Sequence, residues 1–149
     1  MDKKAIGEVV GLYIKDRKDS KVKSVEKAFF EEDKGLVGDA HFNGGNRQVS
    51  IFTAEGREEI SSGLKGLCMN KFYENIRVKN LDVGKLKVGS IIKVGDTLHE
   101  ITEIGKKCFP DCQIVKKGKS CPLTTQAIFT KIIEGGSILI GDRVALKGG

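Results

Sequence analysis

A chain of 149 residues and 16.2 kDa fits a single domain over residues 1–149, and at this size it buries about two thirds of the surface of its unfolded chain. Its 39% hydrophobic and 31% charged residues argue against a disordered chain, and no apolar run approaches the roughly 18 residues that cross a bilayer. The net charge of +6 favours anionic partners, but the lysines are scattered and the aromatic fraction is 6%, so we expect neither a nucleic-acid nor a membrane partner.

The N-terminal residues 1–16 place charges on both sides of a short apolar run and contain no small-residue cleavage site. We therefore expect no export signal and a cytoplasmic location. In that reducing compartment, four cysteines indicate chemistry, metal binding or burial rather than a disulfide framework.

Short apolar segments recur along the whole chain, and most are separated by glycine, asparagine or aspartate. The 19 glycines are about twice the average usage. This pattern is typical of strands joined by turns and predicts a mostly β, barrel-like fold with a few short helices. The predicted strand segments are 5–14, 22–30, 48–52, 75–78, 90–94, 97–104, 137–140 and 143–146.

Within this pattern, one hairpin and two helices are predicted in detail. Residues 91–98 form the clearest hairpin, because Gly95-Asp96 suits a two-residue turn with positive φ. Thr53 is expected to cap a first helix over residues 54–64. A second helix is expected after Thr124 or Thr125 and to end at Gly135, with one apolar face that carries Ile128, Phe129, Ile132 and Ile133.

The first candidate site is the glycine-rich segment 35–49, which contains four glycines and several polar side chains: Asp39, His41, Asn46, Arg47 and Gln48. Glycines allow backbone N–H groups to approach a ligand closely, and Arg47 can bind a carboxylate or phosphate through two parallel hydrogen bonds. The alternative is an ordinary glycine loop with a surface ion pair.

The second candidate site is the cysteine segment that contains Cys108, Cys112 and Cys121. The turn residues Phe109-Pro110-Asp111 should bring the first two thiols close together. If the strand that begins at residue 97 continues to residue 107, Lys106 shares a face with Cys108, and its ammonium favours the nucleophilic thiolate. His99 would then face the other way. A second thiol could resolve an oxidised or sulfurated first one.

The same three cysteines could instead hold zinc, with His99 or Cys68 as the fourth ligand, although the spacing is not that of a standard zinc finger or ribbon. An iron–sulfur cluster would also require a fourth thiolate near by. Cys68 lies between Leu67 and Met69 and is most simply a small buried hydrophobic residue.

The order of these motifs resembles that of MOSC domains, the C-terminal domain family of molybdenum cofactor sulfurases. The resemblance covers roughly residues 5–147 and is most specific in the Arg-Gln-Val block and in the cysteine segment. The three-cysteine form is similar to MOSC domains that stand alone in bacteria. The matching residues are Gly38-Asp39, His41, Arg47-Gln48-Val49, Glu55, Glu74-Asn75-Ile76, Leu86, Val88-Gly89, Cys108, Gly135-Gly136, Gly141-Asp142 and Val144.

The resemblance implies a barrel-like MOSC fold that binds the molybdenum cofactor (molybdopterin) and a cysteine that carries sulfur as a persulfide. Cys108 matches the family's cysteine, with Cys112 and Cys121 as further candidates for the chemistry. We expect no resident metal held by the protein alone. The expected cofactor-binding residues are Asp39, His41, Arg47, Gln48, Asn75 and Lys106.

Two departures from the family matter for the mechanism. The pyridoxal-phosphate desulfurase domain of full-length sulfurases and its signature lysine are absent from this sequence, so sulfur must come from a partner, namely a cysteine desulfurase or a molybdopterin-synthesis protein. A molybdoenzyme is a possible acceptor. In addition, Lys106-Lys107 replaces the arginine-containing approach to the cysteine that many relatives have.

Three functions therefore stay open. The chain could have sulfurtransferase-like activity that depends on a partner desulfurase, or it could be a non-catalytic pterin or metal carrier in which the cysteines ligate metal. A reductase of N-hydroxylated compounds would need a separate electron-transfer partner. We expect the loops 35–47 and 108–121 to lie at one mouth of the barrel, because both leave or enter strands and together carry nearly all the unusual polar residues.

Overall fold

The structure, a computed structural model, describes residues 5–15, 21–39, 48–55, 74–81, 83–104 and 127–147, and these residues are almost entirely strands and turns. This confirms the mostly β fold. A 3-10 turn covers Val83–Lys85. The strands are β1 (Ala5–Ile14), β2 (Lys23–Val25), β3 (Lys27–Glu31), β4 (Gly35–Leu36), β5 (Val49–Thr53), β6 (Ile76–Lys79), β7 (Ile91–Val94), β8 (Thr97–Ile104), β9 (Ala127–Glu134), β10 (Gly136–Leu139) and β11 (Arg143–Lys147).

Seven of these strands close into a barrel. Their order is β11-β7-β8-β9-β5-β6-β1, and an antiparallel pairing between β1 and β11 completes the ring. All neighbours are antiparallel except β5 and β6, which are parallel. A parallel pair needs a long connection, and the chain supplies one between residues 55 and 74. β2 pairs antiparallel with the end of β1 but is not one of the seven barrel strands. β10, β3 and β4 form a second, three-stranded sheet.

The two sheets enclose one apolar core. Side chains alternate along β3, where Ala28 and Phe30 are buried and their neighbours are exposed, and along β8, where residues 97, 99 and 101 are buried. This period of two is the one expected of strands with a single buried face. The fully buried apolar residues include Val9, Leu12, Val49, Ile51, Phe52, Ile76, Val78, Ile92, Val94, Ile101, Ile128 and Ile138.

The predicted hairpin is confirmed. β7 and β8 pair antiparallel, with Val94 opposite Thr97, and Gly95 and Asp96 form the turn between them. Gly95 has a φ of 55°, a conformation that glycine adopts without steric cost.

The predicted first helix has its start within the described residues. Ala54 and Glu55 are helical directly after Thr53, as the capping prediction requires. Residues 56–64 lie outside the described residues, so the length of this helix stays a prediction.

The predicted second helix is wrong, because the segment that carries Ile128, Phe129, Ile132 and Ile133 is strand β9. β9 lies between β8 and β5, and its first four residues are all buried, so apolar side chains occupy consecutive positions and imitate a helical stripe. Isoleucine, phenylalanine and threonine fit such a strand better than a helix.

Gly135 does not end a helix but joins β9 to β10. A Cβ atom at this position would lie 2.6 Å from the carbonyl oxygen of Phe30 and 3.2 Å from the backbone nitrogen of Glu32. Backbone atoms cannot move aside as a flexible side chain can. Glycine is therefore required here by the close approach of β3.

The assignment of β9 can be tested with two neighbouring isoleucines. On the predicted helix, Ile132 and Ile133 share the apolar face, whereas on the strand Ile132 is 2% exposed and Ile133 is only partly buried. Ile132→Ala should lower the free energy of unfolding by about 2–5 kcal/mol in urea titrations, and Ile133→Ala by less than half as much. Equal losses would contradict the strand orientation.

Candidate functional site

Asp39 stands at the start of the segment that contains His41 and Arg47, and its side chain is fixed to the barrel. The carboxylate is 6% exposed and accepts a hydrogen bond of 2.9 Å from the backbone N–H of Lys15, directly after the end of β1. Lys15 directly follows Ile14, the last residue of β1 that pairs with β2. The Asp39 carboxylate therefore accepts a hydrogen bond from a backbone N–H just beyond the strand and ties the residue before segment 40–47 to the end of β1.

Gln48 stands at the other end of the same segment and is completely buried. Its Oε1 accepts a 2.9 Å hydrogen bond from the backbone N–H of Ile132 in β9, and its Nε2 donates a 3.1 Å bond to Oδ1 of Asp33. The backbone N–H of Asp33 in turn donates to the carbonyl of Ile132 at 2.9 Å. Gln48 thus ties together the start of β5, strand β9 and the turn between β3 and β4.

That turn fits closely against Gln48. Asp33 has a φ of 58° and Gly35 a φ of 118°, so the chain reverses through two residues in left-handed conformations. A Cβ atom on Gly35 would lie 2.7 Å from the carbonyl oxygen of Gln48. The glycine of the predicted loop therefore serves this close approach between two backbone segments, both of which border the segment with Arg47.

Asn75 is 1% exposed and links three strands. Its Oδ1 accepts hydrogen bonds from the backbone N–H and from the hydroxyl of Ser50 in β5, at 3.0 and 3.2 Å. Its Nδ2 donates to the carbonyl of Tyr13 in β1 at 3.3 Å. Because Asn75 precedes β6, it fixes the point at which the parallel pair β5–β6 meets β1.

A further buried acid, Glu74, was not among the predicted site residues. It is 2% exposed, and its Oε2 accepts a hydrogen bond of 2.9 Å from Nε of Arg77. The guanidinium carbon of Arg77 lies 4.7 Å from the centre of the Tyr13 ring. The only sequence signal for this group is that Glu74 adjoins Asn75 in the motif that resembles MOSC domains.

The three predicted cofactor-binding residues that the structure describes, Asp39, Gln48 and Asn75, thus all hold backbone groups in place. They are buried near the ends of β1 and β9 and at the starts of β5 and β6. Asp39 and Gln48 anchor the chain directly before and directly after segment 40–47, whereas Asn75 joins β5 and β6 to β1. Contact with a cofactor stays a prediction for them. The remaining candidates lie outside the described residues: His41, Arg47, Lys106, Cys108, Cys112 and Cys121, as does Cys68.

His99 is fully buried and hydrogen-bonded through both ring nitrogens. Nε2 lies 2.7 Å from Oγ1 of Thr97, and Nδ1 lies 2.8 Å from Oγ1 of Thr130. The Thr97 hydroxyl donates to the carbonyl of Val94 at 2.7 Å, so it can only accept from the ring. This assigns the ring proton to Nε2 and makes Nδ1 the acceptor of the Thr130 hydroxyl.

The environment of His99 favours its neutral form. Burial lowers the pKa of His99 from 6.5 to about 3, and the ring packs edge-on against Phe30 with centroids 5.9 Å apart. With both nitrogens engaged by threonines, His99 does not act as a zinc ligand in this structure. Among the residues that the structure describes, no group of three or more potential ligands is placed to hold a metal ion.

Comparison with known proteins supports the fold. YuaD from Bacillus subtilis matches with 20% sequence identity and a TM-score of 0.68 over 94% of each chain. YiiM from Escherichia coli matches with 14% identity and a TM-score of 0.58 over 97% of this chain and 70% of that one. YuaD and YiiM are MOSC-domain proteins. This chain has a MOSC-like β-barrel fold.

YiiM from Geobacillus stearothermophilus is also similar, with 14% identity and a TM-score of 0.54 over 99% of this chain and 76% of that one. At such identities the similarity concerns the fold alone. No protein-family model and no curated protein sequence matches the chain. Among the described residues, no helix has the length and apolar character needed to cross a membrane.

The strand directions of the MOSC-like barrel place the attachment points of the two candidate segments at opposite ends. Segment 40–47 leads through Gln48 into β5, whose start lies beside the middle of β9, because Val49 pairs with Thr130. Segment 105–126 leaves the end of β8 and enters β9 at Ala127, which pairs with Phe52. Gln48, which directly follows segment 40–47, and Phe52, the partner of Ala127, are therefore four residues apart along the chain, or about 13 Å at ~3.3 Å per residue.

A shared site consequently has a specific requirement. Segment 105–126 must run back past the β5–β9 pair to bring Cys108 to the end of the barrel where Arg47 is attached. Its length allows this, since even a few extended residues span about 13 Å. The shared mouth itself falls on residues outside the described ranges and stays a prediction.

The buried histidine predicts a specific pH dependence of stability. Between about pH 3 and pH 6.5 the unfolded chain binds a proton at residue 99 and the folded chain does not, so stability falls as the pH falls through this window. The slope is about 1.4 kcal/mol per pH unit.

This slope can be measured against a variant that cannot titrate. His99→Gln should be less stable than the wild type at pH 7, but between pH 6.5 and 5 it should lose about 2 kcal/mol less than the wild type does. The measurement is urea unfolding at each pH. If the two proteins showed the same dependence of stability on pH, His99 would take up a proton in the folded chain as readily as in the unfolded chain, and its pKa would not be lowered.

Proposed function

We propose that this chain binds the molybdenum cofactor or a related pterin and relays sulfur through Cys108 as a persulfide. The observation that carries the proposal is that buried side chains anchor both ends of segment 40–47. Asp39 binds the end of β1, and Gln48 binds β9 and the Asp33 turn. Arg47 directly precedes the Gln48 anchor. An anion-binding arginine profits from such support because less conformational freedom is lost when the ligand binds.

The residue types present suit this cofactor. Arg47 can form two parallel hydrogen bonds to its phosphate, and His41 and Lys106 offer further donors. The thiolates of segment 105–126 are soft ligands of the kind that molybdenum and sulfur chemistry use. When bound, the cofactor would supply the metal centre that ultimately receives the sulfur atom.

The sulfur relay itself needs only thiol chemistry on this chain. The Cys108 thiolate attacks the outer sulfur of a desulfurase persulfide, so that a new S–S bond forms on Cys108 while the donor's S–S bond breaks and its thiolate leaves. Cys112 can then attack the inner sulfur of the Cys108 persulfide. This step forms a Cys108–Cys112 disulfide and releases hydrosulfide, which takes up one proton.

The sulfur step predicts different results for three of the four cysteines. The protein is mixed with a pyridoxal-phosphate cysteine desulfurase and L-cysteine, and intact mass spectrometry follows the gain of one sulfur atom. Cys108→Ser should lose the gain, whereas Cys112→Ser should retain and accumulate it because release by disulfide formation is blocked. Cys68→Ser is the matched control and should behave as the wild type.

Two results would replace the relay by a carrier function. One is an unchanged sulfur gain in Cys108→Ser. The other is stoichiometric zinc in the purified protein whose removal unfolds the chain, with all three cysteines of segment 105–126 equally necessary. In that case the cysteines ligate metal and no sulfur is transferred.

The anion step predicts that Arg47→Ala weakens pterin binding at least tenfold, which corresponds to about 1.5–3 kcal/mol for a charged hydrogen bond. Arg47→Lys should not restore affinity, since an ammonium lacks the planar fork of a guanidinium. Fluorescence quenching or calorimetry with the pterin measures the affinity. Arg143→Ala, at an exposed arginine of β11, is the matched control. If Arg47→Ala and Arg143→Ala bound the pterin with equal affinity, Arg47 would have no role in binding and would be a residue of a surface ion pair.

A further inference from the structure

The three-stranded sheet has one face in the core and one face toward solvent. Its inner face carries the buried side chains Ala28, Phe30 and Ile138. The opposite face, called the outer sheet face below, carries Lys27, Phe29, Glu31, Val37 and Leu139.

The outer sheet face is unusually apolar for an exposed surface. The exposed fractions of Phe29, Val37 and Leu139 are 56%, 48% and 44%. Val37 lies beside Phe29, because its backbone N–H donates to the carbonyl of Phe29 at 2.9 Å. Leu139 pairs with Lys27 and is the diagonal neighbour of Phe29, while Ser137 is directly opposite Phe29, so Val37 and Leu139 adjoin Phe29 in one patch that also includes this serine. Contiguous exposed apolar residues on a sheet face, unlike scattered ones, indicate an interaction surface.

Two opposite charges flank Phe29 at equal distances along β3. Lys27 precedes Phe29 by two residues and Glu31 follows it by two, so the three side chains point to the same side with a positive, an apolar and a negative group in line. Neither Lys27 nor Glu31 has an ion-pair partner among the described residues. The ammonium of Lys27 lies 5.1 Å from the centre of the Phe29 ring.

This order is complementary to itself. If a second copy is laid face to face with β3 reversed, a two-fold axis passes between the two Phe29 rings, and each Lys27 meets the Glu31 of the other copy. A closed dimer of this kind uses one patch twice. A strongly acidic partner fits less well, since the patch carries one charge of each sign although the whole chain has a net charge of +6.

We propose that the outer sheet face is the contact surface of a two-fold symmetric dimer of this chain, in which Phe29 packs on Phe29 and Lys27 pairs with Glu31. The three apolar side chains expose on the order of 250 Å², well below the ~800 Å² per partner of a standard interface. The dimer is therefore weak and forms at high protein concentration.

A charge-reversal experiment tests the pairing directly. By sedimentation equilibrium, the wild type should pass from monomer toward dimer between about 10 µM and 1 mM. Lys27→Glu alone and Glu31→Lys alone should each raise the dissociation constant about fivefold or more, because like charges then face each other. An equimolar mixture of the two variants should form a heterodimer about as strong as the wild-type dimer, because opposite charges again face each other. The double variant, which exchanges the two charges, should form a homodimer of similar strength for the same reason.

The apolar contact has its own variant and control. Phe29→Glu should raise the dissociation constant at least tenfold, whereas Val88→Glu, at an exposed valine before β7, should leave it unchanged. Both substitutions replace side chains that are more than half exposed, so far-ultraviolet circular dichroism should show both variants folded.

Three outcomes would overturn the proposal. The first is a wild type that stays monomeric to 1 mM, including the case in which hydroxyl-radical footprinting shows Phe29 protected in the monomer by another part of the chain. The second is a dimer that Phe29→Glu does not weaken. The third is a mixture of the two charge variants that dimerises no better than either variant alone.

Discussion

The pairing of β1 with β11 is the constraint on which the rest of the structure depends. It joins the first and the last strand of the described chain and closes the barrel, so that no barrel strand is left with an open edge. β1 is ten residues long and pairs with β6 and β2 as well as with β11. Irregular register near Gly7 and Gly11 lets one strand follow three partners around a tilted ring. The backbone of Val9 adds two hydrogen bonds of 2.8 Å to the turn before β11.

Closure also decides which polar groups can be buried. Inside a ring of paired strands, a polar side chain is tolerated only when its hydrogen bonds are satisfied. Among the described residues no buried side-chain nitrogen or oxygen lacks a partner. Gln48 and Asn75 meet this demand by bonding to the backbone of neighbouring strands, and His99 meets it with two threonines. These residues are therefore structural supports of the barrel, and one of them, Gln48, directly borders candidate segment 40–47.

The sequence predicts those parts of the fold that local patterns determine. Strands with one buried face, such as β3 and β8, follow from alternation, and the β7–β8 hairpin follows from the turn residues Gly95-Asp96. β9 could not be recognised in this way, because burial on both sides removes the alternation and leaves an apolar run that also fits a helix. Only the pairing of β9 with β8 and β5 decides its conformation, and that pairing depends on residues far away in the chain.

The same limit applies to the candidate site. The concentration of polar residues and glycines identified Asp39 and Gln48 as special positions, and the resemblance to MOSC domains added Asn75; the structure shows each of the three buried and bonded. Their partners could not be predicted, since Gln48 bonds to a residue 84 positions away and Asn75 to one 62 positions away. A buried amide and a ligand-binding amide look alike in a sequence, because the same donors and acceptors serve both roles.

The strand directions add a condition that neither the sequence nor the fold class contains. Arg47 is joined to the barrel at one end and the cysteine segment at the other, about 13 Å apart along β5 at ~3.3 Å per residue. Anchors such as Gln48 act on the arginine side alone, because their hydrogen bonds end at β9 and at the Asp33 turn. The segment that contains Cys108 is attached elsewhere, at the end of β8 and the start of β9. The proposed anion binding and the proposed sulfur transfer would therefore rest on different supports of one barrel, and a loss of the first would not by itself entail a loss of the second.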